Sequence, residues 1–355
     1  MNATRLSAVM AAVVMGGLLA APATAEIQQL AIKFIGQSSV ESNSKLLETP
    51  FFKEMEAKSG GKIKVDLQPF NILGLKGTEI LRLMKTGTME WASNGITFLA
   101  GERPEFEGCD LAGITESLDQ AYKACAAYKP VFSRIMEKDW NVKLLALYSN
   151  PPQMFWCRVP IKGLADLKGK KVRVFNNTLT DFVEGVGGTS VTIPFADVVP
   201  AMQRGVADCA VTGSFNGNIA KWYEVTTHLY PLSLGWATQY AAVNLDTWKR
   251  LNADTQKFLT EQFLELEKRS WTNVTKQTTE QGVNCNVGKD PCTLEGGSKA
   301  SMTLVKPTAE DEQTRLKVMR EAVLARWGKR CGAECAKEWN ATIGKVVNLQ
   351  VPATK

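Results

Sequence analysis

The apolar positions switch between two spacings along this chain. Residues 30–36 (LAIKFIG) read as a strand ending in the polar turn Gln37-Ser38-Ser39. Residues 45–58 place Leu46, Leu47, Phe51, Phe52 and Met55 on one helical face, and Gly60-Gly61 stops that helix. Residues 62–67 alternate as a strand. Residues 79–85 are helical, and Gly87 turns the chain into a short strand at 88–92. Residues 117–138 predict one or two helices interrupted at Pro130, and residues 142–148 predict a strand. Helix and strand in alternation predict an α/β protein with largely parallel sheets.

One stretch is echoed. Residues 79–92 (EILRLMKTGTMEWA) and 197–210 (DVVPAMQRGVADCA) share Glu79/Asp197, Ile80/Val198, Met84/Met202, Gly87/Gly205, Glu90/Asp208 and Ala92/Ala210. Each reads as helix, glycine turn and strand. Two lobes of similar construction are expected, each presenting a strand end to a common cleft. Pro200 fits if its helix starts near Ala196, because the N–H groups of a first turn lack partners anyway.

The first 25 residues alter the picture. Arg5 is their only charge; residues 6–21 are apolar or small, and Ala23-Thr24-Ala25 follows as a cleavage signal. The run is short for a bilayer, which needs ~20 apolar residues. A cleaved signal peptide over 1–25 and export to the periplasm are expected. All eight cysteines (Cys109, Cys125, Cys157, Cys209, Cys285, Cys292, Cys331 and Cys335) lie beyond it. An even set in an exported chain predicts disulfides, at least two, with Cys285–Cys292 and Cys331–Cys335 close enough to close small loops; the connectivity stays open. No C-x-x-C pair exists and His228 is the only histidine, so no metal site is expected. Removing residues 1–25 takes away Arg5 and no acid, leaving 41 basic against 36 acidic residues. The basic residues are scattered, which excludes a nucleic-acid stripe and is compatible with an anionic ligand.

Between Ile161 and Phe263 three stretches occur in order: Asp166-Leu167-Lys168-Gly169-Lys170-Lys171-Val172-Arg173, then Pro194 to Asp208 (PFADVVPAMQRGVAD), then Trp222 to Leu229 (WYEVTTHL). These resemble the motifs of the substrate-binding subunits of TRAP (tripartite ATP-independent periplasmic) transporters of the DctP type. A weaker resemblance runs from Phe34 to about Asn150, and the tail after Cys285 matches poorly. The resemblance implies a two-lobed periplasmic-binding-protein (venus-flytrap) fold, with a five-stranded sheet in each lobe and the ligand at the hinge. It puts crossover strands near 152–158 and 237–244 and a long connecting helix over 254–281, capped by Asn252 or Asp254. One lobe is expected to comprise 26–152 plus 238–280, and the other 153–237 plus 281–355. It also implies no cofactor, a monomer, a small organic anion as ligand and TRAP membrane permease subunits as partners.

Arg173 alternates with Val172 and Val174 on a short strand. Read alone, it is either a surface arginine paired with a carboxylate or an anion clamp; the resemblance implies the clamp. A guanidinium fits that role, because its planar fork donates two parallel N–H bonds to two oxygens. Ligands in open α/β sheets sit beyond the carboxyl ends of strands. That rule adds Gln37, Ser38 and Ser39 after the first strand, with Ser93 and Asn94 after the 88–92 strand. In the other lobe it adds Gln153 on the crossover, Asn176, and Thr212, Gly213 and Ser214 after a 207–211 strand. Phe175, Phe215 and Trp236 are candidate cleft-lining aromatics. Two departures from relatives matter. Ala210-Val211-Thr212 lacks an acid that some relatives carry there, which argues against a bound cation. Gln153 stands where sialate binders have a second arginine, which argues against sialic acid and resembles relatives that bind 2-oxo acids and similar monocarboxylates; the expected ligand is a small monocarboxylate, of 2-oxo, 2-hydroxy or aromatic type.

Enzyme classes fare poorly. His228 lies in what reads as a helix with no G-x-S-x-G elbow before it, and there is no phosphate-cradling G-x-x-x-x-G-K-[ST] loop. A periplasmic receptor for a sensor system has the same fold and ligand chemistry and stays open as the alternative.

Overall fold

The computed structural model describes residues 26–352; the signal-peptide expectation over 1–25 lies outside them. Eleven strands form two sheets among the described residues. The first holds β1 (Leu30–Gly36), β2 (Ile63–Pro69), β3 (Trp91–Gly95), β4 (Val142–Tyr148) and β10 (Gln239–Asn244) in the order β2-β1-β3-β10-β4. The second holds β5 (Gln153–Cys157), β6 (Lys171–Val174), β7 (Thr189–Thr192), β8 (Cys209–Gly213), β9 (His228–Tyr230) and β11 (Thr303–Leu304) in the order β11-β9-β5-β8-β6-β7. The expected α/β, two-lobed fold is what forms. The second sheet has six strands rather than five, because the two-residue β11 adds an edge.

Each sheet is parallel except for its crossover. β1 runs parallel to β2 and β3, while β10 is antiparallel to β3 and β4. β6 runs parallel to β7 and β8, while β5 is antiparallel to β8 and β9. The crossover strands lie wholly inside one sheet each. The chain passes between lobes just before them, at 149–152 and 231–238. These two segments bond to each other: Asn150 N to Trp236 O at 2.9 Å, Gln153 N to Gly235 O at 2.8 Å and Leu234 N to Gln153 O at 2.9 Å.

Several boundaries differ from expectation. Leu118–Trp140 is one helix with Pro130 inside it, started by Ser117 accepting from Gln120 N and ended at left-handed Asn141. Packing of Ala124, Cys125, Tyr128, Phe132, Ile135 and Met136 into the core outweighs the one lost hydrogen bond. β3 and β8 each begin and end later than 88–92 and 207–211, so Ser93, Asn94, Thr212 and Gly213 are strand residues, not residues beyond a strand. Polar residues and glycine disfavour strands in isolation, but the antiparallel crossover strands β10 and β5 pair with these four residues and lengthen both strands. His228 starts a strand, not a helix. Val172, Arg173 and Val174 are all buried, because β6 is covered on both faces.

The connecting helix is longer than expected. It runs through Ala253–Arg269, a π-helical turn Ser270–Val274 and Thr275–Asn286. Asn252 is its cap, accepting from Thr255 N at 2.9 Å. Phe263 packs among Phe34, Phe51 and Phe52 of the first lobe. The π turn sits against Ser149 at the lobe crossing, through Ser149 N to Ser270 Oγ at 3.1 Å and Ser149 Oγ with Thr275 Oγ1 at 2.7 Å. Such turns recur at functional sites. Beyond it, Gly282 meets the second lobe so closely that a Cβ there would lie 2.5 Å from Phe215 N.

Residues 281–355 were expected with the second lobe, yet the tail lies on both. Trp327 Nε1 and Trp339 Nε1 each donate at 2.8 Å to carbonyls of the first lobe, Pro104 and Gly108. Arg330 bonds Asp181 of the second lobe at 2.7 Å. Four disulfides form: Cys109–Cys125, Cys157–Cys209, Cys285–Cys292 and Cys331–Cys335. No helix among the described residues is long and apolar enough to cross a membrane.

Candidate functional site: a buried arginine facing an acidic lobe

β6 ends in the second lobe with its arginine turned inward. Arg173 is 1% exposed. Its Nε donates to Ile193 O and its Nη1 to Val211 O, both at 2.8 Å. The guanidinium lies over the rings of Phe175, Phe195 and Trp222 at 5.5, 5.9 and 5.6 Å. Burial pulls its pKa down to about 9, opposed by the charge of Glu41. Backbone carbonyls thus fix two of its nitrogens, and no carboxylate pairs with it among the described residues. The arrangement leaves Nη2 for an acceptor that the protein does not supply.

Across from it, the first lobe buries acid. Glu48 is 1% exposed and accepts from Gln37 N at 3.0 Å, Tyr148 Oη at 2.8 Å and Ser93 Oγ. Burial raises its pKa against those three donors. Glu41 follows in the loop after β1 and keeps part of its surface exposed, although protein crowds its carboxyl. Burial, and then the charge of Glu48, push it up to about 7 against the pull of Arg173. The neighbouring Ser42 is sealed and donates through N, at 3.1 Å, and Oγ to Asn216 Oδ1 of the second lobe. Asn43 Nδ2 reaches Ser149 O and Asn150 Oδ1 at the crossing.

The expected site residues divide by the partners they have. Phe175 is half-buried, with the Arg173 guanidinium over its ring. Gln37 and Ser93 surround Glu48, and Ser38 O accepts from Glu41 N at 2.9 Å, so all three shape the acidic side. Thr212 is buried on β8 next to Val211, and its carbonyl accepts from Trp156 Nε1 at 3.3 Å. Gln153 is buried in the crossing, its Nε2 donating to Pro151 O at 2.9 Å.

Others are engaged elsewhere. Asn176 caps the helix Asn177–Gly185 through Leu179 N at 2.9 Å, a short polar side chain doing what such residues do at a helix start. Asn94 holds Gly77 O and its own neighbour Gly95 N. Ser214 Oγ donates to Thr278 O and Thr279 O on the connecting helix, both at 3.2 Å. Phe215 is fully buried, with its backbone against Gly282 and its ring against Gly297. Trp236 donates through N to Asp110 Oδ1 at 2.8 Å and through Nε1 to Thr115 Oγ1 at 3.0 Å, which ties the second crossing segment to the first lobe.

Four neighbours of the site escaped the sequence reading: Glu41, Glu48, Tyr148 and Phe195. Glu48 had a signal, since it falls on the apolar face of its helix beside Leu47, Phe51 and Phe52. Among the described residues no cluster of three or more His, Cys, Asp or Glu is placed to hold a metal ion. Surface hollows beside Gln28 and Trp91, and beside Arg82 and Trp140, do not reach Arg173.

Comparison with known proteins agrees with this fold. The chain is similar to DctP6 of Bordetella pertussis, an extracytoplasmic solute receptor solved binding pyroglutamic acid, at 24% identity and TM-score 0.75, over 88% of this chain and 99% of that one. It is similar to a TRAP periplasmic solute-binding protein from Desulfovibrio salexigens solved with orotic acid, at 19% identity and TM-score 0.77, over 89% and 99% of the two chains. Protein YiiZ of Salmonella typhimurium is 23% identical over 186 residues, 50% of this chain and 56% of that protein. The chain spans about half the length of the curated relatives it matches first. The family model for bacterial extracellular solute-binding proteins, family 7 (DctP), matches residues 36–289, and the chain belongs to that family.

Proposed function

We propose that the mature chain is the periplasmic solute-binding subunit of a TRAP transporter. It captures a small organic monocarboxylate, of 2-oxo, 2-hydroxy or aromatic type, on Arg173 and presents it to membrane permease subunits as a monomer. One observation carries this reading: a sealed guanidinium has two nitrogens on backbone carbonyls, aromatic rings around it and no protein carboxylate. A buried cation without a partner is costly, and a ligand carboxylate removes that cost. The fold neighbours solved with pyroglutamic acid and orotic acid hold carboxylic acids, which supports the same ligand class here.

Capture works by hinge closure. Lobe I takes 26–152 plus 238–280 and lobe II takes 153–237 plus 281–355, with the tail helices strapped across both. Closure brings the Glu41 loop onto Asn216 and shuts water out of the Arg173 site, where electrostatic attraction strengthens. Export ends with cleavage after Ala25, so the protein begins at Glu26, which N-terminal sequencing of periplasmic material checks.

A thermal-shift screen of the mature protein against organic acids tests the function. At a ligand concentration one hundred times Kd the native state gains about 2.7 kcal/mol. Stabilisation by monocarboxylates is the expected result, with a smaller radius of gyration by X-ray scattering in their presence. A library of organic acids that leaves the melting temperature unchanged overturns the proposal.

A further inference from the structure

Glu41 has no role in a clamp made of Arg173 alone, and its position sets what else the ligand carries. Two sets of hydrogen bonds hold these residues near one strand end. Arg173 Nη1 is fixed to Val211 O on β8. Ser42, next to Glu41, is fixed through N and Oγ to Asn216, three residues beyond the end of β8. Each charge is felt by the other. Yet no ion pair within 4.0 Å joins them, and Glu41 is in no ion pair among the described residues. If Glu41 were simply the counterion of Arg173, contact would be expected. The two charges are therefore not each other's direct partners.

A second acceptor lies on the same loop. Tyr148 Oη donates to Glu48 Oε1 at 2.8 Å, so it accepts from Gln37 Nε2 at 3.0 Å. That order fixes the Gln37 amide, and its Oε1 is left buried with no protein donor. An orphaned acceptor of this kind calls for a donor from outside the protein. Glu48 is not free to serve, because three donors already hold it.

We infer that Glu41 and Gln37 Oε1 form an acceptor arm opposite Arg173, selecting carboxylates that carry an N–H or O–H donor beside the carboxyl group over plain dicarboxylates. The inference rests on the clamp reading and narrows it. A lactam acid, a 2-hydroxy acid or an amino acid places its donor on the arm. Above pH 7, where Glu41 is mostly ionised, a dicarboxylate places a second negative charge against it, and like charges at close range in a water-poor site repel strongly.

Calorimetric titration of the mature protein decides the matter, with L-pyroglutamate and L-2-hydroxybutyrate as donor acids and butyrate and succinate as controls. The expected result is that at least one donor acid binds about tenfold or more tighter than either control, since a hydrogen bond to a charged acceptor is worth that much. In Glu41→Gln, a change of shape-matched side chain on a partly exposed loop, that advantage over succinate shrinks to about threefold or less. Succinate binding as tightly as the donor acids overturns the acceptor arm and leaves the clamp standing. An advantage unchanged in Glu41→Gln does the same. If none of the four acids binds, the acceptor arm falls, and the clamp reading is decided by the organic-acid library.

Discussion

Ile35 and Arg173 occupy the same place in two sheets. The first sheet reads β2-β1-β3-β10-β4 and the second, without its edge, β7-β6-β8-β5-β9. Ile35 pairs with Ala92 and Arg173 with Ala210, the two alanines matched in the sequence echo. One lobe fills the position with an aliphatic chain and the other with a guanidinium. At the site the buried charges differ accordingly: the first lobe buries Glu48 and the second sheet buries Arg173, while away from it both lobes bury acids, Asp110 and Glu107 in the first and Asp181 in the second. Scaffold repeats between lobes, whereas the chemistry is complementary: acceptors on one side of the cleft, a donor on the other.

Making the two lobes alike has the largest expected effect. Arg173→Ile copies the first lobe's residue into the second, and Arg173→Ala removes the side chain. Either leaves a ligand carboxylate buried without its partner, at roughly 3–5 kcal/mol. That is a loss of about two to four powers of ten in affinity. Arg173→Lys keeps the charge, loses the fork and is expected to bind poorly as well. Calorimetric titration against a ligand found by screening measures all three, with circular dichroism to confirm folding. Binding by Arg173→Ala within about threefold of the native protein, under 1 kcal/mol, makes Arg173 a structural residue.

The acidic lobe answers to a different experiment. Glu48→Ala leaves Gln37 N, Tyr148 Oη and Ser93 Oγ without their acceptor in a sealed site, at roughly 1–3 kcal/mol. Glu48→Gln keeps the shape and one oxygen, so its cost is expected to be smaller. Urea unfolding of the pair tests this. Equal loss in both variants makes the charge, not the hydrogen bonds, the reason for the glutamate.

The lobes' shared construction was legible in the sequence, and their division of charge was not. Helix, glycine turn and strand recur at 79–92 and 197–210 because each sheet needs the same apolar spacing. That spacing, with the motif around Arg173, also identified the clamp candidate. Boundaries slipped where tertiary pairing overrides propensity: Ser93 and Asn94 are poor strand formers, yet β10 pairs with them through Ala241 and Tyr240. Strand-end logic also counted Asn176 and Ser214 as ligand residues. It does not see that a helix start or a crossing helix already uses their side chains. Glu41 carried no periodic signal, because its place is fixed by Ser42 reaching a residue 174 positions away.

The connecting helix treats the lobes differently. It meets the first through Leu259, Phe263 and Leu266 and the second through Gly282, where the Phe215 backbone comes too close for a Cβ. Gly282→Ala forces the helix off the second lobe and is expected to cost about 1–3 kcal/mol, even though alanine is the better helix former. Thermal unfolding reports the sign. A stabilised Gly282→Ala means the contact relaxes freely, and the helix then is not a rigid link between lobes.

The smallest expected effect concerns pH and again belongs to the acidic lobe. Asp110 accepts from Trp236 N at 2.8 Å, Thr238 N at 2.9 Å and Thr238 Oγ1 at 3.3 Å, pinning the second crossing segment to the first lobe. Gly235 in that segment has φ +122°, and a Cβ there would lie 2.7 Å from Asp110 Oδ1. Burial pushes the Asp110 carboxyl up to about 6 despite those donors. A carboxyl raised on folding holds a proton in the native state that the unfolded chain has released. Its contribution is therefore most favourable below the unfolded pKa and is lost as pH rises through about 6. Glu41 and Glu107, each raised to about 7 mainly by burial, act in the same direction. Between pH 5 and 6 the Asp110 share amounts to roughly 1 kcal/mol. Asp110→Asn forfeits a hydrogen bond and lowers stability overall, but it removes the titration, so the slope between pH 5 and 6 flattens. Arg173 does not confuse the measurement, because its pKa of about 9 leaves it charged throughout that range. Denaturant titrations at the two pH values give the slopes. An equal slope in Asp110→Asn assigns the loss of stability with rising pH to the other raised carboxyls, Glu41, Glu48, Glu107 and Asp181, and leaves the Asp110 contact to the crossing as a packing feature without a proton to lose.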